Sequence, residues 1–250
     1  MDPWTLGIFL GGALFGSYVQ SVTGFAMAMI LVAVASAAGN SQVSVVAAVV
    51  SLLALVNVAL ALRGHLERVE ARLFVWLAVG QLPAIWAGIY LLEVLEGQAV
   101  RALEVVLGVF IVLGSLSMML RPQPRPSTSP PWACVAAGVT GGLAGGLFAA
   151  SGPIMGWFNY RQPLPVAAIR ATLLCGFAMT TSVRTVLVGV NGGLTGEVWL
   201  LTGLALPVVV LGTWAGRTFE PPVSELAMKR LAFAVLLVMG IWILLRAALG

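Results

Sequence analysis

Long apolar segments separated by short polar ones make up most of the chain. The first stretch, sixty residues from Pro3 to Leu62, contains no Asp, Glu, Lys or Arg. A transmembrane helix needs about 20 apolar residues, and low-charge segments of at least that order recur along the sequence. They span residues 42–62, 73–92, 102–120, 132–160, 166–190, 198–216 and 227–248. The pattern predicts an all-α integral membrane protein that crosses the bilayer several times.

Composition agrees with this prediction. Hydrophobic residues make up 60% of the chain and charged residues 9%, and the mean hydropathy is +1.03, whereas a soluble domain has about 25% charged residues. The lipid bilayer is therefore the expected surrounding, and we expect a multi-pass membrane protein. A net charge of +4 is too small to indicate nucleic acid. One His and two Cys, both in apolar segments, predict neither a metal site nor a cofactor.

A proline-rich segment divides the chain near its middle. Residues 121–131, RPQPRPSTSPP, contain five prolines and cannot form a membrane helix. We therefore predict a first membrane repeat over 1–120, a linker over 121–131 and a second membrane repeat over 132–250.

Similar motifs on either side of the linker indicate an internal duplication. GALFGSYVQSVTGFAM (12–27) resembles GGLAGGLFAASGPIMG (141–156), at an offset of 128 residues. Further on, PAIWAG (83–88) resembles PVVVLG (207–212), at a slightly shorter offset. Matches in the same order around a central linker favour two related halves.

The stretch from residue 3 to 38 is too long for one straight span. As a single helix it would measure about 50 Å, against about 30 Å of hydrocarbon. A re-entrant hairpin or two crossings would both return the chain to its starting side. If 132–160 returns in the same way, ten Lys and Arg residues lie on one side of the membrane and two on the other. The ten are Arg63, Arg68, Arg72, Arg121, Arg125, Arg161, Arg170, Arg217, Lys229 and Arg230, and the two are Arg101 and Arg246.

The side with ten basic residues is expected to be cytoplasmic, and both termini are then outside. Each half makes an odd number of crossings, so the second half enters from the opposite face. The predicted fold is two inverted-topology repeats, each a broken or re-entrant helical hairpin followed by three membrane helices. Many secondary transporters share this plan, and their sites lie near the midplane, where broken helices meet.

Polar residues interrupt the apolar pattern at two equivalent places. A helix break at membrane depth is tolerated only against protein or a wet cavity. Gly24 permits a turn, neighbouring side chains can cap the freed backbone or bind a solute, and Pro153 suits the first turn of a new helix. Two helix N-termini that face each other would form an anion site. The candidate substrate-binding residues at the breaks are Gln20, Ser21, Thr23, Gly24, Ser151, Gly152 and Pro153.

Two further polar residues lie deep in apolar segments. Arg184 is about halfway along 173–190, where a buried charge needs a partner. An anionic substrate could be that partner; the alternative is an arginine bound to backbone carbonyls. Asn57 lies at nearly the matching depth in the first half and joins the candidates. Arg170 is expected to mark the cytoplasmic end of its helix.

The glycines around the breaks have a simpler interpretation as packing residues. Small residues let membrane helices approach closely. The glycines concerned are Gly11, Gly12, Gly16, Gly138, Gly141, Gly142, Gly145 and Gly146.

Four motifs of the chain resemble those of the sulfite exporter TauE/SafE family, also called the 4-toluene sulfonate uptake permease family. They are GSYVQSVTGFAMAM (16–29), its counterpart GGLAGGLFAASGPIMGWFNY (141–160), and the later PAIWAG and PVVVLG. The resemblance covers essentially the whole chain. It implies transport of sulfur-containing anions such as sulfite, sulfoacetate, other sulfonates or thiosulfate. The functional positions it implies are Ser21, Thr23, Gly24, Ser151, Gly152 and Pro153.

The main functional hypothesis is a secondary transporter, in the direction of export, for a small sulfur-containing anion bound near the midplane between the broken helices. An anion channel is the alternative. An intramembrane serine hydrolase that uses Ser151 is less favoured, because the only histidine, His65, lies in a charged loop and no general base is evident. We therefore expect no enzyme. A homodimer, the direction of transport and the identity of the coupling ion stay open.

Overall fold

The computed structural model describes residues 3–38, 42–119, 124–219 and 225–249. Within these ranges the chain forms ten α-helices and one short 3-10 helix, and no β-strand. The 3-10 helix spans Leu66–Arg68. The α-helices are α1 Pro3–Thr23, α2 Met27–Ala38, α3 Val43–Leu62, α4 Ala71–Gln98, α5 Val100–Met119, α6 Pro131–Phe148, α7 Gly152–Tyr160, α8 Val166–Val190, α9 Gly196–Thr218 and α10 Glu225–Leu249.

Six of the described helices, α1, α3, α4, α6, α8 and α9, are long and apolar enough to cross a membrane. The prediction of an all-α integral membrane protein is therefore confirmed. Helices α2 and α7 are shorter, at 12 and 9 residues. At 1.5 Å of rise per residue they measure about 18 and 14 Å, well short of the hydrocarbon thickness of about 30 Å.

The helices break where the sequence places its polar and glycine residues. The first break spans residues 24–26 and the second spans residues 149–151. Both need left-handed backbone: φ is 85° at Gly24, 109° at Ala26 and 54° at Ala149. Of these three residues, only Gly24 adopts a left-handed backbone angle without strain, since a Cβ destabilises the left-handed conformation by about 1–2 kcal/mol.

After each break the chain turns back on itself. Helix α2 packs against α1, and α7 packs against α6. In each hairpin, the residue further along the first helix contacts the residue that comes earlier in the segment that follows, so each pair is antiparallel. The pairs are Gly12 with Val34 and Gly16 with Met27 in the first hairpin, and Gly141 with Met155 and Gly145 with Ser151 in the second. Neither broken stretch therefore crosses the membrane as a single rod.

The two halves of the chain exchange packing partners. Helix α4 of the first half packs along α6 of the second, and α9 of the second half packs along α1 of the first. Helices α5 and α10 pack on each other, and α3 contacts both α8 and α9. The hydrophobic core is continuous across both halves.

Glycines let α4 and α6 approach to backbone contact. A Cβ at Gly138 would overlap the carbonyl oxygen of Leu77, and a Cβ at Gly146 would overlap that of Ile85. The packing interpretation is correct for these glycines. It is wrong for Gly11, where a Cβ would meet nothing within 4 Å.

The described part of the proline-rich linker, 124–130, is not helical, as expected; residues 121–123 of the predicted linker, Arg121 included, lie outside the described residues. The amide of Arg125 donates to the carbonyl of Arg161 at 2.8 Å, which ties the linker to the loop after α7. The amide of Ser129 donates to Gln162 Oε1 of the same loop at 2.9 Å.

Candidate functional site

A small cavity lies between the two helix breaks. Its walls come from both breaks and from the middle of α3 and α8. It has a volume of about 20 Å³, which is enough for about one water molecule. Its lining residues are Gln20, Ala26, Ala28, Met29, Ala54, Ala149, Ser151, Gly152, Phe177, Thr180 and Thr181. We call it the midplane cavity, because Ala54 and Thr180 lie near the middle of their helices.

The N-termini of α2 and α7 converge on this cavity. Ala28 and Met29 belong to the first turn of α2, and Gly152 is the first residue of α7. A Cβ at Gly152 would lie 3.9 Å from the amide nitrogen of Ala26, so the two breaks are in contact. First-turn amides have no acceptor within their own helix and carry the positive end of its dipole. The cavity is thus placed to receive negative charge.

A buried hydrogen-bond chain fixes the first break. Gln20 Oε1 accepts from the amide of Met27 at 3.1 Å and so caps α2. Gln20 Nε2 donates to Asn57 Oδ1 at 2.6 Å, and Asn57 Nδ2 donates to Thr213 Oγ1 at 2.7 Å. The chain joins α1, α2, α3 and α9. Gln20 lines the cavity, whereas Asn57 lies behind it and holds the Gln20 amide in place.

Thr23 and Gly24 make the turn itself. The Thr23 hydroxyl is 2.8 Å from the carbonyl of Val19 and 2.9 Å from that of Phe25, so its proton can serve either. The carbonyl of Thr23 accepts from the Tyr160 hydroxyl at 2.9 Å, which links the turn to the end of α7. Thr23 stabilises the backbone and does not line the midplane cavity.

The second break uses its residues differently. Ser151 occupies the N-cap position of α7, but its side chain makes no capping hydrogen bond. It is 3% exposed and lines the cavity, so its hydroxyl is available to a solute there. Pro153 lies in the first turn of α7, as expected, and its ring faces Gly114 of α5 rather than the cavity. Gly152 has an ordinary backbone angle, and a Cβ there would make only ordinary contacts.

Ser21 lies apart from these residues. Its hydroxyl donates to the carbonyl of Ser17 at 2.9 Å, and its side chain lines a different, larger cavity next to Arg170. The structure therefore places two of the break residues, Gln20 and Ser21, on different cavities although they are neighbours in sequence.

Arg184 is 1% exposed and is held by protein groups. Its Nε donates to the carbonyl of Gly146 at 3.1 Å, and its Nη1 donates to Ser51 Oγ at 3.1 Å. It is not among the residues that line the midplane cavity. The structure favours the second alternative for this residue: it binds the last turn of α6, just before the break, to α3.

We therefore expect Arg184→Ala to destabilise the empty protein by about 1–3 kcal/mol, because a buried carbonyl and a buried hydroxyl lose their donor. Arg184→Lys should restore only part of this, since Lys lacks the planar fork that reaches two acceptors. Melting temperatures with and without sulfite test the expectation, with the exposed Arg246→Ala as the control. If the alanine variant melts like wild type but sulfite no longer raises its melting temperature, Arg184 is instead the counter-ion of the substrate.

Sequence reasoning missed three threonines. Thr180 and Thr181 line the cavity from α8, and their hydroxyls donate to the carbonyls four residues earlier at 2.9 and 2.7 Å. Each oxygen can still accept a hydrogen bond. Thr213 receives the Asn57 amide. The available signal for Thr180 and Thr181 was the pair TT inside an apolar stretch, four and three residues before Arg184. Among the described residues, no group of three His, Cys, Asp or Glu could hold a metal ion.

The fold is that of a multi-pass, all-helical membrane protein, and comparison with known proteins gives its family and, with it, a transport protein rather than an enzyme. The chain matches the family described as "Sulfite exporter TauE/SafE" over residues 8–243. It is 40% identical over 232 residues to a protein of Cupriavidus necator named "Probable sulfite/organosulfonate exporter TauE", covering 93% of this chain and 91% of that relative. The chain therefore belongs to the TauE/SafE sulfite exporter family. No solved structure matches it.

Proposed function

We propose that this protein exports a small sulfur-containing anion, such as sulfite, sulfoacetate or another sulfonate, which binds in the midplane cavity. The observation that carries the proposal is the convergence of two helix N-termini, those of α2 and α7, on one cavity. Positive helix ends and unpaired amides favour an oxyanion. The name of the Cupriavidus necator relative supports the choice of sulfite and organosulfonates.

An inverted repeat accounts for the packing. In this proposal residues 1–120 and 132–250 are the two repeats, and each supplies one broken hairpin and three membrane helices. Several of the main contacts then have a counterpart: α4 on α6 corresponds to α9 on α1, α3 on α9 corresponds to α8 on α4, and α10 on α2 corresponds to α5 on α7. Two hairpins related in this way enter from opposite faces, which brings their breaks together at the midplane.

Transport also requires the cavity to open. A volume of about 20 Å³ is too small for sulfite, so this conformation is closed around the site. We propose that one repeat moves against the other to widen the cavity and expose it to one side at a time. A solute can shift this equilibrium only as far as it binds one conformation better than the other.

Flux into proteoliposomes tests the function. Purified protein should carry labelled sulfite or sulfoacetate with a rate that saturates, and lactate should not compete. Flux that rises without saturation would indicate a channel instead.

The variant Ser151→Ala tests the serine hydrolase. It should fold and keep at least part of the sulfite flux. Complete loss of flux in this variant, together with a hydrolytic activity of the wild type, would favour the hydrolase.

The proposed orientation has its own test. Exposed Ser127 lies in the described part of the linker, which we place in the cytoplasm. In a background where Cys134 and Cys175 are alanine, Ser127→Cys should react with a membrane-impermeant thiol reagent only after the cells are opened, because the linker is then behind the bilayer. Labelling of intact cells would reverse the orientation of the whole chain.

A further inference from the structure

A second and much larger cavity adjoins the first helix break on the other side of the Gly24 turn. Its volume is about 480 Å³, within the range of small-molecule sites. We call it the arginine vestibule. The polar residues that characterise it, with one apolar neighbour, are Ser21, His65, Arg68, Arg170, Leu174 and Arg217.

The vestibule is strongly basic. Three arginines, Arg68, Arg170 and Arg217, line one cavity, and none of its described lining residues is Asp or Glu. Three like charges around one space raise its electrostatic potential and attract anions. Glu67 is next to Arg68 in the chain but does not line the cavity.

The three arginines come from three different elements. Arg68 ends the 3-10 helix after α3, Arg170 lies in the second turn of α8, and Arg217 lies in the last turn of α9. Arg217 also donates to the carbonyls of Leu60 and Arg63 at the end of α3, which fixes its position. Arg170 packs its side chain over the Gly24 turn, where a Cβ would lie 3.3 Å from its Cγ.

The vestibule and the midplane cavity share two helices as walls. On α8, Arg170 and Leu174 line the vestibule, and Phe177 and Thr181 continue the same face into the midplane cavity. On α3, Ala61 lines the vestibule and Ala54, two turns away, lines the midplane cavity. Leu174 and Phe177 are only about 5 Å apart along the α8 axis. A solute in the vestibule is therefore one helical turn from the proposed transport site.

We propose that the arginine vestibule is a second anion-binding site, which collects the sulfite or sulfonate before it passes the Gly24 turn into the midplane cavity. The proposal rests on the proposed function for the identity of the anion. Arginine suits this task, because its planar fork matches two oxygens of an oxyanion. Arg170 is the residue that spans both places, since it lines the vestibule and covers the turn.

Sulfite flux in proteoliposomes tests the vestibule. In the double variant Arg68→Gln/Arg170→Gln, the half-saturating sulfite concentration should rise about tenfold, since two partly exposed charged contacts are lost. The maximal rate should stay within about twofold, because the midplane cavity is intact. Added KCl should raise the half-saturating concentration of wild type and have little effect on the double variant, since salt screens the lost charges.

Arg63→Gln is the matched control. Arg63 is exposed, belongs to the same loop as Arg68 and does not line the vestibule. Its removal changes the net charge of that loop equally and should leave the half-saturating concentration unchanged. If the glutamine variants fold poorly, Arg68→Lys/Arg170→Lys should keep the salt dependence and show a smaller rise.

Sulfite binding by calorimetry separates this proposal from the proposed function. Wild type that transports sulfite, with no change of half-saturation in the double variant, overturns the vestibule and leaves the transport function standing. A second outcome is that the wild type binds sulfite, that the double variant does not, and that no sulfur-containing anion is transported. This result supports the vestibule as an anion-binding site and overturns the transport function. No binding and no flux overturns both.

The phosphate of a lipid headgroup has the same oxyanion chemistry as sulfite and could occupy the same site. Binding measurements in bilayers of different lipid composition distinguish the two anions. Calorimetry in nanodiscs of phosphatidylcholine should show sulfite binding, and added phosphatidylglycerol should weaken it by competition at most severalfold. Sulfite binding that is abolished by phosphatidylglycerol would mean that the vestibule holds lipid headgroups instead of the transported anion.

Discussion

Gly24→Leu should reduce sulfite flux at least about tenfold while the protein still inserts into the membrane. Its φ of 85° is a left-handed angle, which any residue with a Cβ adopts at a penalty of about 1–2 kcal/mol. The new side chain would also start 3.3 Å from Arg170 Cγ, where the vestibule meets the turn. Flux together with the melting temperature of purified protein measures both effects.

Ala26→Gly is the matched variant for the same turn. Ala26 has φ of 109°, so removal of its Cβ should relieve strain and raise the melting temperature. Flux should remain near that of wild type, since the turn keeps its path. Wild-type flux in Gly24→Leu, or a lower melting temperature in Ala26→Gly, would contradict this account of the break.

Gly138→Leu should have the largest effect on stability. A Cβ at Gly138 would overlap the carbonyl oxygen of Leu77 on α4, and backbone cannot move aside as a side chain can. Overpacking destabilises by about 1–3 kcal/mol, and contact with backbone puts this site at the upper end or beyond. For a chain of this size the melting temperature should fall by about 10 °C, if folded protein is recovered at all.

The control for this variant is Gly203→Leu on α9. Gly203 is exposed, and a Cβ there would meet nothing within 4 Å. The same substitution should therefore change the melting temperature by no more than a few degrees. Equal losses at both positions would show that leucine in a membrane helix, and not contact between α4 and α6, causes the effect.

The sequence was sufficient for the positions of the breaks. At residues 24–26 and 149–151, polar and small residues interrupt apolar runs longer than the bilayer, and lipid offers no hydrogen bonds to an unwound backbone. Length alone therefore required a break, and glycine with hydroxyl residues indicated where it falls. The antiparallel hairpins follow from the same length argument.

The sequence did not reveal which candidate residues line a cavity and which only hold the backbone in place. Gln20 and Ser21 are neighbours, yet helix geometry turns them about 100° apart, so one lines the midplane cavity and the other the vestibule. Arg184 carries a charge that drew attention, but its partners are Ser51, 133 residues away in the chain, and a backbone carbonyl, which no residue type reveals. Thr180 and Thr181 escaped notice because threonine is also an ordinary packing residue.

The central claim is that a small sulfur-containing anion binds between the N-termini of α2 and α7. Anomalous scattering from selenite, the selenium analogue of sulfite, locates such an anion in crystals of a variant in which Cys134 and Cys175 are alanine, so that thiols do not react with it. The account predicts a selenium peak within hydrogen-bonding distance of the amides of Ala28 or Gly152, in a cavity wider than the present 20 Å³. A fully occupied peak elsewhere in the protein, with none between the two breaks at saturating selenite, would contradict it.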